Sequence, residues 1–189
     1  MKNKLTIAFL LIINMMQSQK TVSLTNYSNR DLGHFNYLKD THGALDKFVG
    51  TWKYTNGNEE FTIKIIKVEK TDFSGTRNYY IDALFGGYKY VKNGNILVDR
   101  LSFTTDIYDF QNCAIMFGSG SFFNSNRGIS LLGDDAIFGK PLYIKLEITE
   151  INQMHWAISP RENVNINNSM PIPGGPGFGI PKDIILTKQ

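Results

Sequence analysis

From Phe48 onward, apolar residues fall at every second position in one segment after another. Pro141–Glu150 shows this most plainly. Leu142, Ile144, Leu146 and Ile148 lie on one side, and Tyr143, Lys145, Glu147 and Thr149 on the other. A period of two puts successive side chains on opposite faces of a strand. Phe61, Ile63 and Ile65 repeat the pattern within Glu59–Lys70. So do Tyr79, Ile81, Ala83 and Phe85 within Asn78–Phe85, and Met154, Trp156 and Ile158 within Met154–Ile158. Asn56-Gly57 and Asn93-Gly94 are hairpin signals, because both residue types tolerate the positive φ of a tight turn. No long amphipathic helix pattern intervenes. The chain therefore predicts an all-β fold, an up-and-down antiparallel meander of about eight to ten strands. Closing such a meander into a barrel removes its exposed edges.

Phe48–Tyr54 opens the meander, and Asp183–Thr187 is a last short strand able to close it. Gly86-Gly87 interrupts a strand pattern and predicts a bulge or sharp bend. Tyr88–Val91, Ile96–Val98, Ile107–Phe110, Ala114–Phe117 and Ile129–Leu132 are further strands. Gly118–Asn126 and Arg161–Pro181 are rich in turn residues and predict surface loops.

The residues before the meander divide in two. Met1–Lys4 is basic and Leu5–Ile13 is unbroken apolar, the pattern of an export signal over residues 1–18. The apolar stretch is shorter than the ~20 residues a membrane-spanning helix needs. Residues 19–46 are mixed, with Thr21–Leu24 extended and a short helical turn from Ser28 or Asn29 towards Leu38. They are expected to pack across an open end of the barrel, which takes residues 47–189. The chain carries 20 Lys and Arg against 17 Asp and Glu. Without Lys2 and Lys4 the balance is nearly even, which leaves no electrostatic footprint for nucleic acid or an anionic membrane. Cys113 is the sole cysteine, so no internal disulfide forms, and its expected role is a small buried hydrophobe.

Phe48-Val49-Gly50-Thr51-Trp52-Lys53 resembles the Gly-x-Trp signature on the first strand of lipocalins and fatty-acid-binding proteins. The resemblance implies a calycin-type barrel in which Trp52 packs across one end and Gly50 lets the chain approach it. Arg100 and Arg127 are the candidates for a cation packed against Trp52. Leu45–Thr62, Phe85–Gly94 and the C-terminal Leu-Thr-Lys-Gln are similar to a family of secreted bacterial proteins of unknown function. That resemblance brings no activity, ligand or catalytic residue.

The familiar chemical constellations are missing. His34 and His42 are eight apart with no metal-ligand spacing, and His155 alternates with Met154 and Trp156 on a strand. Asp134 and Asp135 are adjacent, so strand geometry would send them to opposite faces; a turn is the better role. Gly118-Ser119-Gly120-Ser121 lacks a nucleophile elbow, and the Gly174–Gly179 loop lacks the Lys-Ser/Thr ending of a phosphate loop. Asn26-Tyr-Ser and Asn167-Asn-Ser match the glycosylation acceptor pattern. No catalytic, cofactor-binding or metal-binding residue is assigned, no cofactor is expected, and the ligand-binding residues stay unknown. Trp52, Phe61, Tyr79, Tyr88, Tyr90 and Trp156 either fill the core, the preferred reading, or line an apolar cavity.

The expectation is a secreted or periplasmic, non-enzymatic protein that binds a small apolar molecule in its barrel. The alternative is a structural or interaction module of the cell envelope with a filled barrel. No membrane-spanning segment is expected once the signal is removed.

Overall fold

Eleven strands pair into one sheet in the computed structural model, which describes residues 20–27, 36–73, 79–106, 115–116, 127–161 and 177–189. The strands are β1 (Thr21–Ser23), β2 (Asn36–Lys39), β3 (Gly50–Asn56), β4 (Glu59–Asp72), β5 (Tyr79–Lys92) and β6 (Asn95–Asp99). They continue with β7 (Ile115–Met116), β8 (Gly128–Asp135), β9 (Lys140–Glu150), β10 (Gln153–Pro160) and β11 (Asp183–Lys188). A single turn of 3-10 helix, Asp46–Phe48, precedes β3. The expected signal over residues 1–18, the helical turn from Ser28 or Asn29, His34, Cys113 and Gly118–Ser121 lie outside the described residues. So does most of the Arg161–Pro181 stretch.

The order runs β1-β2-β5-β4-β3-β11-β10-β9-β8-β7. Both hairpins form: Asn93 and Gly94 have φ of 52° and 75°, the geometry of a two-residue turn, while Asn56 ends β3 and the first turn is Gly57-Asn58, one residue on from the expected pair. β11 inserts between β3 and β10, pairing Lys188 with Trp52 and Leu186 with Met154. The last strand thus joins the first part of the meander to its final hairpin.

Three features depart from a simple meander. First, β1 pairs with β2, and β2 with β5, in parallel. Leu38, read as the end of a helical turn, lies in β2. Second, Gly86-Gly87 does not break its strand: β5 runs unbroken through both glycines. The bulge in the β4–β5 ladder lies between Val68 and Thr71 instead. There Lys70 takes a φ of 53° and its N–H donates to the Asp82 carboxylate at 3.0 Å. The glycines serve close approach. A Cβ on Gly86 would stand 2.7 Å from the Lys64 carbonyl oxygen, and one on Gly87 would overlap the Arg100 carbonyl. Third, the second edge of β5 is shared. β2 takes Tyr79–Ile81, β7 takes Phe85 and Gly86, and β6 takes Lys89–Lys92, while β4 runs along the first edge. The contact of β7 with β5 is two residues long, and the described residues make a large sheet rather than a completed barrel.

A polar cluster fixes the N-terminal segment to this sheet. Asp82 accepts from the Tyr37 hydroxyl at 2.5 Å and from the Asp40 N–H at 2.9 Å. Asp40 accepts from the N–H groups of Ala44 and Leu45 at 2.7 and 3.0 Å, and pairs with Lys67 at 3.0 Å. Both aspartates are buried, and their bonds satisfy what burial would otherwise leave unpaired.

Candidate binding cleft

Aromatic rings occupy the face on which β3, β4, β5 and β10 converge. Phe61 is the hub, its ring centroid 5.1 Å from that of Trp156, 5.6 Å from Tyr88 and 6.1 Å from Tyr90. All four are buried, as is Trp52. Tyr79 is not part of this group. It lies on the opposite face of β5, stacked on Phe73 at 5.7 Å. The deep interior is therefore packed with side chains at these positions, which agrees with the preferred reading of them as core.

Tyr90 links the cluster to an open cleft of about 350 Å³. Apolar side chains line one side of it: Leu97 from β6, Ile137 and Phe138 from the β8–β9 turn, and Phe178, Ile180 and Ile184 around the entry to β11. Tyr54, Glu59 and Lys92 stand on the hairpin side. Glu59 and Lys92 form an ion pair at 2.6 Å. Lys92 holds the Glu59 carboxyl below its ordinary range, and Glu59 raises Lys92 in turn. Burial pushes the Tyr90 phenol up, and the negative charge of Glu59 adds to this. The rim therefore carries two opposite charges at neutral pH, with a neutral phenol beside them.

Asp135 assembles the opposite wall. Its side chain is buried and accepts the N–H groups of Ile137 at 3.0 Å, Phe138 at 3.3 Å and Gly179 at 2.6 Å. One carboxylate thus holds two chain segments far apart in sequence. The segments are pressed together, since a Cβ on Gly179 would lie 2.5 Å from the Ile137 Cβ. The turn role read for the aspartate pair fits Asp135. Asp134 has another partner: it pairs with Arg100 at 2.7 Å, and burial pushes its carboxyl up. Its second oxygen, Oδ1, is buried with no hydrogen-bond partner. Beside this pair, the Tyr88 hydroxyl donates to the Asp134 carbonyl at 2.8 Å and accepts the Ala136 N–H at 2.7 Å.

A family profile described as a family of unknown function (DUF6705) matches residues 1–189. The chain belongs to the DUF6705 family. No curated protein and no solved structure shows significant similarity to it.

In this DUF6705 chain the cation over Trp52 is Lys188, with its ammonium 5.1 Å from the ring centroid. Arg100, a sequence candidate for that place, is committed to Asp134. The Trp52 indole donates to the Phe48 carbonyl at 3.0 Å. His155 points away from the core and meets Asp183 at 2.7 Å. Among the described residues, no three His, Cys, Asp or Glu side chains come together as a metal site, and no helix is long and apolar enough to cross a membrane. Sequence reading missed the cleft itself. Its walls come from β3, β4, β5, β6, the β8–β9 turn and the entry to β11, and only the hairpin dipeptides marked any of these as neighbours.

Proposed function

We propose that this DUF6705 protein is an exported, non-enzymatic binding protein whose cleft takes a small, largely apolar molecule. The observation that carries the reading is the cleft of about 350 Å³, in which apolar side chains from β6, the β8–β9 turn and the entry to β11 face Tyr54, Glu59, Tyr90 and Lys92. That volume and lining suit a small-molecule site. The packed Phe61 cluster argues for a ligand at this mouth and not deep inside, where the sequence reading put it.

The same proposal includes a lipocalin-type barrel. Its support is the seam between β5 and β8, where β7 pairs with both strands. The Arg100–Asp134 ion pair and the Tyr88 hydrogen bonds span the same seam. The basic and then apolar start of the chain supports export. A second reading has one observation in its favour. The filled interior suits an interaction module of the cell envelope as well as a binding protein.

Native mass spectrometry of the protein purified from its own host tests the binding reading. A co-purifying small molecule, lost in Leu97→Asp, is the expected result. Leu97 is 47% exposed, so this change should spare the fold. Finding no bound molecule, together with no displacement of a neutral hydrophobic dye, would leave the interaction module as the better account. N-terminal sequencing of the host protein tests export, with Gln19 expected first.

A further inference from the structure

Among the described residues, Glu59 and Lys92 are the only charged ones lining the cleft, and they neutralise each other at 2.6 Å. Tyr90 lines the cleft beside them, two residues from Lys92 on β5. A carboxylate entering here would give up water and meet no free cation, because the Glu59 carboxylate already occupies Lys92 and repels a second anion. An ammonium head would meet the mirror problem. A hydroxyl or carbonyl carries no such penalty. Tyr54 also lines the cleft and carries a hydroxyl. A hydroxyl both donates and accepts, so it can serve either kind of uncharged head group.

Resting on the binding reading above, we infer that the cleft selects an uncharged amphiphile, an apolar body with a hydroxyl or carbonyl head, over a fatty carboxylate of the same length. Glu59 is the specificity-determining residue. It cancels the charge of Lys92, which would otherwise make the rim an anion site.

Dodecanol and dodecanoate test this, since they share a chain and differ in the head. Each is titrated against the purified protein preloaded with the neutral dye N-phenylnaphthylamine, at pH 8, where the acid is ionised. Dodecanol should bind roughly tenfold more tightly, a ratio equivalent to about 1.4 kcal/mol. Glu59→Gln frees Lys92 and should bring dodecanoate level or ahead. Glu59→Gln with Lys92→Gln removes both charges and should restore the preference for the alcohol. Tighter binding of dodecanoate to the native protein, or an unchanged ratio in Glu59→Gln, overturns the inference and leaves the binding reading standing. Failure of the protein to bind the dye or either ligand overturns both.

Discussion

Lys188 covers the Trp52 indole, its ammonium 5.1 Å from the ring centroid, and Gly50 makes room for it. Gly50 has a φ of 131°, and a Cβ there would stand 3.1 Å from the Lys188 Cε. The most recognisable residues of the sequence are thus held by one near its C-terminus.

Trp52→Ala should lower stability by about 3–5 kcal/mol, the cost of emptying a buried large aromatic site. Lys188→Met keeps most of the stem and loses the charge, so its cost should be about 0.5–1 kcal/mol. Urea unfolding followed by circular dichroism measures both. A loss below about 1 kcal/mol for Trp52→Ala would show that the indole is not the core element described here.

Gly87→Ala should be far more damaging than Gly94→Ala, although Gly94 has the unusual backbone. Gly94 has a φ of 75° with nothing near its would-be Cβ, so the cost is backbone strain alone, about 1 kcal/mol. At Gly87 the obstacle is the Arg100 main chain, which cannot move without breaking the Arg100 N–H bond to the Tyr88 carbonyl at 2.8 Å. A loss above about 3 kcal/mol, or no folded protein, is expected. Equal melting temperatures for the two variants would refute the close crossing.

Asp135→Asn should loosen the cleft wall. The amide offers one acceptor oxygen where the carboxylate offers two, and three N–H groups depend on them. The expected cost is about 1–3 kcal/mol. Hydrogen exchange should quicken at the amides of Ile137, Phe138 and Gly179 and stay unchanged in β3 and β4. Uniform change across the sheet would contradict a local role.

Acid should weaken the hold on the N-terminal segment. Burial alone would push the Asp40 carboxyl up, but the N–H groups of Leu45 and Ala44 and the Lys67 ammonium outweigh it and hold it below its ordinary range. A carboxyl lowered in the folded state stabilises fully above its unfolded pKa of ~3.9 and loses that contribution as pH falls through the folded value. Asp40→Asn should therefore cost about 1–3 kcal/mol at pH 7 and progressively less below pH ~4. Urea midpoints at pH 7 and pH 3 give the comparison; a constant difference would rule the contribution out.

Much of the fold was legible because period two is a local signal. Leu142, Ile144 and Leu146, and Met154, Trp156 and Ile158, are buried as their alternation predicts. Long-range partners leave no such mark. Gly86-Gly87 reads as a break because glycines interrupt an apolar run, while the physical cause is close approach, of the Lys64 carbonyl at Gly86 and of the Arg100 main chain at Gly87. The parallel placement of β2 beside β5 depends on the buried Asp82 and its bond to Tyr37, which no spacing announces. The Asp135 contact with Gly179 joins residues 44 apart. The rim pair of Glu59 and Lys92 follows from the β4–β5 register, in which the two face each other. It was readable in principle once both strands were recognised.

The placement of β11 between β3 and β10 bears on how the chain comes to be folded. Everything from β4 to β10 is synthesised after β3 and before the strand that completes its second edge. The β3–β4 hairpin can form early, but its open side must wait until β11 is available to pair. Such sequence-distant closure folds slowly and leaves apolar side chains and unpaired backbone exposed in the meantime. That interval is when the nascent chain is most open to a holding chaperone, and most prone to pair with a neighbouring copy of itself.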